Sequence, residues 1–272
     1  EVFLKILQKN LAEKELDVLK GKKVYLDDSE VDLSRSKISI TDKSAEGGYI
    51  SNGLAIRIPK AAKFIRFFTY WNDPKRIDID LHASFIEREG HTGQVSWHSA
   101  YNIMGLTHSG DITHSDATEY IDIDIEQALR NEIVRVQFNL NCYNGVNFKN
   151  IETVFTGIQL LSKIGQKADL YDSKNVLFRH DLESNAGAID YGMIDLENLV
   201  LYISGKTHNF FNDSNLFDTP VIPLSMETYL KLLFKGQSAT LVTSREDADV
   251  VLGLAKSDEE NYVSLIDSNF FM

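Results

Sequence analysis

Arg76-Ile77-Asp78-Ile79-Asp80-Leu81-His82-Ala83-Ser84-Phe85 alternates without a break. Ile77, Ile79, Leu81, Ala83 and Phe85 fall on one side of an extended chain, and Asp78, Asp80, His82 and Ser84 on the other, which is the period of a half-buried strand. The same period returns at Tyr120-Ile121-Asp122-Ile123-Asp124-Ile125 and at Ile133 to Leu140. Just upstream, Lys63 to Trp71 is a nearly continuous apolar run between Pro59 and Asn72-Asp73-Pro74, as expected of a strand buried on both faces. Further short strands are expected over Thr153–Leu161, Ala168–Tyr171, Val176–Arg179, Ala188–Asp195 and Leu199–Ser204, separated by turn residues such as Asp172-Ser173-Lys174-Asn175. Regular short strands with one apolar and one polar face predict an antiparallel β-sandwich, so the fold class is mainly β.

Outward from this centre the pattern changes twice. Val2, Phe3, Ile6, Leu7 and Leu11 recur at helical spacing before Gly21, predicting an amphipathic helix over residues 1–21. Its apolar stripe docks either on the following domain or on a portion of the chain preceding Glu1. The chain opens without Met, so it reads as an excised or mature piece of a longer protein. After Gly205, Asn209–Pro223 is polar and Pro-bounded, Ser225-Met226-Glu227 caps a helix through Phe234, and Ala239–Val242 and Asp249–Leu252 look like strands. Residues 206–272 are therefore expected to form a small α/β extension, leaving 22–205 for the sandwich.

Composition removes several classes of function. The 272 residues are 43% hydrophobic and 25% charged, too rich in apolar residues for a disordered chain. The apolar runs are far shorter than the roughly 18–20 residues that span a bilayer, so no integral membrane segment is expected. A formal net charge of −12 argues against a nucleic-acid partner, because phosphate binding needs clustered Lys and Arg. Cys142 is alone, which rules out an internal disulfide, disfavours a cysteine zinc site and suits a cytoplasmic location. Phosphate-loop, dinucleotide-binding, HExxH and GxSxG signatures are absent, as is an EF-hand loop.

The charge is concentrated. Residues 73–132 carry twelve acids against four bases, together with five of the seven histidines. Asp78 and Asp80 lie at i and i+2 on one strand face, and His108-Ser109-Gly110-Asp111 follows in a loop that Gly110 allows to turn tightly. Hard cations take six to eight oxygen ligands, so a strand pair converging with a loop acid, Asn102, Asp116 and Glu119 is a candidate Ca²⁺ site. The plainer reading makes Asp78 and Asp80 the solvated face of an edge strand. Asp122 and Asp124 repeat the pattern without a Gly-Asp loop and are read as a solvated face. His82, His108 and Asp111 offer a different chemistry, a Zn²⁺ site with an activated water and hydrolase-like activity. Trp97 and Tyr101 either stack a sugar or peptide or pack against the sandwich end.

Taken in order, Arg76 to Ser84, Tyr101-Asn102, His108-Ser-Gly-Asp111 and Glu119-Tyr-Ile-Asp-Ile-Asp124 resemble the core of the tellurium-resistance TerD family, and the downstream Ala168-Asp-Leu-Tyr-Asp172 and Asp190-Tyr191 agree with it. The resemblance covers about residues 60–205. It implies a β-sandwich that binds calcium in cytoplasmic bacterial stress-response systems of the tellurite type. A non-enzymatic interaction or scaffold role is implied, with protein partners or the preceding part of the same chain. Position by position, the ligands it implies are Asp78, Asp80, Asn102, Asp111 and one or both of Asp116 and Glu119. The chain departs from the family where a Gly-rich acidic stretch is replaced by Ile112-Thr-His-Ser-Asp-Ala-Thr-Glu119, which implies weaker Ca²⁺ binding, one ion instead of two, or none.

Overall fold

The computed structural model describes residues 9, 11–14, 16–29, 31–33, 35–38, 54–170, 172, 174–208, 224–254 and 260–265. Its strands in chain order are β1 (Lys23–Leu26), β2 (Lys37–Ile38), β3 (Ala55–Arg57), β4 (Phe64–Asn72), β5 (Ile79–Glu87) and β6 (Thr92–Val95). Then follow β7 (Asn102–Ile103), β8 (Leu106–His108), β9 (Ala117–Asp124), β10 (Ile133–Cys142), β11 (Thr153–Leu161) and β12 (Val176–Asp181). The last are β13 (Ala188–Asp195), β14 (Val200–His208), β15 (Leu224–Ser225), β16 (Thr240–Val242), β17 (Val250–Gly253) and β18 (Tyr262–Ser264). No described helix is long and apolar enough to cross a membrane.

The chain divides into two compact units. The larger takes residues 42–50 and 58–219, and the smaller takes 1–41, 51–57 and 220–272. The larger unit is the expected antiparallel sandwich. One sheet runs in the order β14-β13-β10-β5-β6 and the other in the order β12-β11-β4-β9-β8-β7, every pairing among them being antiparallel. Phe67 of β4 stacks on Phe138 of β10 with ring centres 4.2 Å apart and lies 5.3 Å from Tyr191 of β13, so the inner faces of the two sheets meet through aromatic rings. Ile79, Leu81, Ala83 and Phe85 are all buried, and they form the apolar face of β5 read from the sequence. One expected strand is missing. At residues 166–170 the chain is loop and turn, where the Asp169 carbonyl accepts from Gln159 Nε2 at 2.9 Å.

The smaller unit differs from the expected division. Its sheet, in the order β16-β1-β17-β18, is parallel throughout, and β1 sits inside it between strands from the far end of the chain. Residues from Lys23 onward therefore do not open the sandwich. The helix Met226–Gly236 belongs to this unit and begins as expected, with Ser225 Oγ accepting from the Thr228 N–H at 3.2 Å. Residues 1–8, 10 and 15 of the expected N-terminal helix, and the stretch 209–223, lie outside the described residues. Of its described part, Leu11–Glu13 are helical and Asp17–Gly21 form turns. This segment docks on the end of the Met226–Gly236 helix: Gln237 Nε2 donates to the carbonyls of Leu11 at 2.6 Å and Lys14 at 3.0 Å. A Cβ at Gly236 would stand 3.0 Å from the Ala12 nitrogen, so a residue without a side chain allows this approach.

Asp122 and Asp124 are not a solvated face. Arg66, their neighbour on β4, donates from Nε to Asp122 Oδ1 at 2.6 Å and from Nη2 to Oδ2 at 2.9 Å, and Gly165 N–H adds a third bond at 2.7 Å. The Arg66 guanidinium lies 3.6 Å from the centre of the Tyr120 ring. Both members of the pair are buried. Asp124 instead caps the helix Ile125–Arg130 by accepting from the Gln127 N–H at 2.9 Å. A buried charge whose partner is removed is left uncompensated, which costs about 3–5 kcal/mol. Asp122→Ala is therefore expected to lower unfolding free energy by about that amount in urea titration, and Arg66→Met/Asp122→Leu to recover most of it. A single-variant loss below about 1 kcal/mol would show that the pair does not hold the sheet.

Candidate cation site at one end of the sandwich

The site begins at an interruption in β5. Strand β6 pairs with β5 only between Ala83 and Ile86, so the backbone of Leu81 has no strand on that side. Two side chains of the opposite sheet take its place. Glu119 Oε2 accepts from the Leu81 N–H at 2.9 Å, and His108 Nε2 meets the Leu81 carbonyl at 2.9 Å. Glu119 Oε1 accepts from the Ile112 N–H at 2.9 Å, and His108 Nδ1 accepts from the Gly110 N–H at 2.9 Å. Because Nδ1 accepts, Nε2 carries the proton and donates, which defines the neutral tautomer. Burial also holds the His108 pKa below its usual value.

These four bonds wrap residues 108–112 against the end of β5. Gly110 supports the turn with φ of +104°, in the region that favours glycine. A second set of bonds joins this loop to the one carrying Asp78. Trp71 Nε1 donates to the carbonyls of Ile77 and His114, each at 3.0 Å, Arg76 Nε donates to the Thr113 carbonyl at 2.7 Å, and Ser115 Oγ donates to the Lys75 carbonyl at 2.6 Å.

The result is a convergence of Asp78, Asp80 and Asp111, whose ligand atoms all lie within 4.8 Å of one another. Asp78 is 7% exposed, and its Oδ1 is a buried oxygen with no hydrogen-bond partner. Burial raises the Asp78 pKa, and the Asp111 charge raises it further against the opposing effect of Arg76. Burial followed by the charges of Asp78 and Asp111 pushes Asp80 up to about 6, with a hydrogen bond from the Asn141 side chain acting the other way. An unpartnered buried oxygen among like charges is a costly arrangement that a bound cation would relieve.

The other expected ligands stand elsewhere. Asp116, with φ of +57°, accepts from the Tyr70 hydroxyl at 3.0 Å and lies outside the convergent group. Asn102 is exposed on β7, opposite Thr107. Glu119 is fully buried with both oxygens engaged by backbone N–H groups, so it shapes the loop instead of facing an ion. His82, His108 and Asp111 do not assemble as a zinc set, because among the described residues neither histidine joins the group and the one lone pair of His108 is occupied by Gly110. Sequence reasoning missed Asn141 and Trp71. The alternation of Asn139 and Asn141 on β10 hinted at a polar face, but the register that sets Asn141 opposite Asp80 is long-range.

Burial pushes the Glu119 pKa to about 8, with the charges of Asp80 and Asp111 adding to the shift against the two backbone bonds. The native state then holds a proton that the unfolded chain has released. The stability this contributes is complete below the unfolded pKa of 4.5 and is lost as pH rises through about 8. Metal-free protein is expected to lose stability from pH 5 to 8.5. Glu119→Gln should flatten that slope while lowering stability at pH 5 by about 1–3 kcal/mol, since its amide opposes one backbone donor. Thermal melts across this range decide it, and a slope unchanged in Glu119→Gln assigns the effect to another group.

No family model matches the chain, and no curated protein matches it. Solved structures similar to part of it include the following two. One is the crystal structure of a protein of unknown function, SAV2460, at 14% identity and a TM-score of 0.43, over 56% of this chain and 94% of that one. The other is a homologue of telluride resistance protein (TerD), SCO6318 from Streptomyces coelicolor A3(2), at 13% identity and a TM-score of 0.43, over 58% of this chain and 96% of that one.

Proposed function

We propose that the larger unit is a TerD-like calcium-binding module, acting as a non-enzymatic interaction or scaffold element in a bacterial stress response of the tellurite type. The observation that carries the calcium reading is the orphaned Oδ1 of Asp78 inside the convergence with Asp80 and Asp111. The ligand set is all oxygen, which selects a hard cation over Zn²⁺. Asp78, Asp80 and Asp111 hold the ion, while Glu119 and His108 hold the loop. The order of motifs from Arg76 to Asp124 supports the family assignment. No nucleophile or general base is needed for this role, and the partner is another protein or another part of the same chain.

A ligand that binds only the native state stabilises it by RT ln(1 + [L]/Kd), so a 10 µM site gives ~2.7 kcal/mol at about a hundredfold excess of ion. Calcium added to chelated protein should raise Tm accordingly, zinc should not, and Asp78→Asn/Asp111→Asn should abolish the rise. No rise with calcium removes the ion from the proposal. The affinity should also depend on pH. Calcium competes with the proton that Asp80 takes up near pH 6, so calorimetric titration at pH 5 is expected to show weaker binding than at pH 7.5, with proton release on binding. Equal affinities at both values would mean that Asp80 is not a ligand.

A further inference from the structure

Three carboxylates do not fill the six to eight oxygen positions of Ca²⁺, and Asp111 is exposed, so the ion would keep open positions toward solvent. Three segments that bond or pack against those carrying the site each present an exposed aromatic ring. Tyr143 is 71% exposed, and its backbone N–H donates to the Asp78 carbonyl at 2.9 Å. Tyr101 is 47% exposed, accepts from the His108 N–H through its carbonyl at 2.7 Å, and has its ring centre 5.9 Å from that of His108. Trp97 is 42% exposed and lies 4.9 Å from His98, whose ring is in turn 6.1 Å from His82 on the Asp80 face of β5. Large exposed rings are the unusual feature of a surface so rich in charge.

We infer that this end of the sandwich binds a neutral, carbohydrate-class ligand, whose vicinal hydroxyls complete the coordination of the ion and whose C–H face packs on Tyr143, Tyr101 or Trp97. The inference rests on the calcium reading of the same site. Charge selects the ligand class. Three carboxylates and one Ca²⁺ leave one net negative charge, in a region whose acids outnumber its bases by eight with those three included, so a neutral ligand is favoured over a phosphate or an anionic lipid headgroup. Vicinal hydroxyls bring two coordinating oxygens at once and no charge. A peptide brings its carbonyl oxygens singly. The exposed rings provide the apolar contact that hydroxyl coordination lacks.

The test is capture of the full chain on an array of neutral and acidic glycans, in millimolar calcium and again in EDTA. Phosphatidylserine vesicles form a parallel arm, and calorimetric calcium titration is run on every variant. The expected result is calcium-dependent capture by neutral glycans with vicinal hydroxyls, weakened about tenfold by Tyr143→Ala or Trp97→Ala while calcium affinity is kept. Calcium binding without glycan capture, capture that survives EDTA, or calcium-dependent binding to the vesicles alone would overturn the inference and leave the calcium site standing. Failure to bind calcium would overturn the reading beneath it.

Discussion

The backbone of Leu81 is the constraint from which the site follows. Because β6 ends opposite Ala83, an N–H and a carbonyl near the start of β5 would otherwise be buried without partners. Glu119 and His108 satisfy both groups from the opposite sheet, and each uses its second polar atom to fix the loop that follows β8. The bonds that close the edge of the sandwich thus also determine where Asp111 stands. The acids gather at this corner because the backbone there needs polar partners, and the neutral forms favoured at Glu119 and His108 lower the local charge that closing the edge brings together.

Much of the larger unit was legible because alternation fixes which side chains share a face. The faces of β5, the double burial of β4 and the chain of short antiparallel strands follow from side-chain period alone. Alternation also held a signal about Glu119 that the motif order obscured. Glu119 has the parity of Ile121 and Ile123, the inward set, so an engaged buried carboxyl was the reading its position favoured. What period cannot tell is whether a polar face is covered. Asp122 does point away from the inner face, yet Arg66, Tyr120 and Gly165 enclose it. Strand partners are equally silent in the sequence: Lys23–Leu26 reads as a strand, but nothing local says that its neighbours come from beyond residue 239.

Polar burial in this unit takes two forms with different consequences. The Arg66–Asp122 pair is closed, since both carboxylate oxygens and two guanidinium nitrogens are engaged, and such an arrangement favours one strand register over its alternatives. The Asp78 carboxylate is open, with an oxygen that the protein leaves unpaired. A closed network stabilises the resting fold, whereas an open one holds free energy that only an added ligand can release. The contrast between two acidic pairs of the same local sequence pattern lies in what the rest of the chain brings to them.

The order in which the two units alternate along the sequence has a consequence for how the protein is made. Lys23 and Asp249, joined through the Lys23 N–H and the Asp249 carboxylate, are 226 residues apart, while the sandwich is drawn from the stretch between them. On the ribosome the sandwich residues emerge, and can fold as a domain, before β16 and β17 exist. Strand β1 must wait through that interval with both hydrogen-bonding edges bare, the state in which a strand is most open to pairing with a neighbouring chain. Synthesis that stalls beyond the sandwich would therefore leave a finished domain carrying an adhesive strand, and the short length of β1, with Lys22 and Lys23 at its start, limits that hazard.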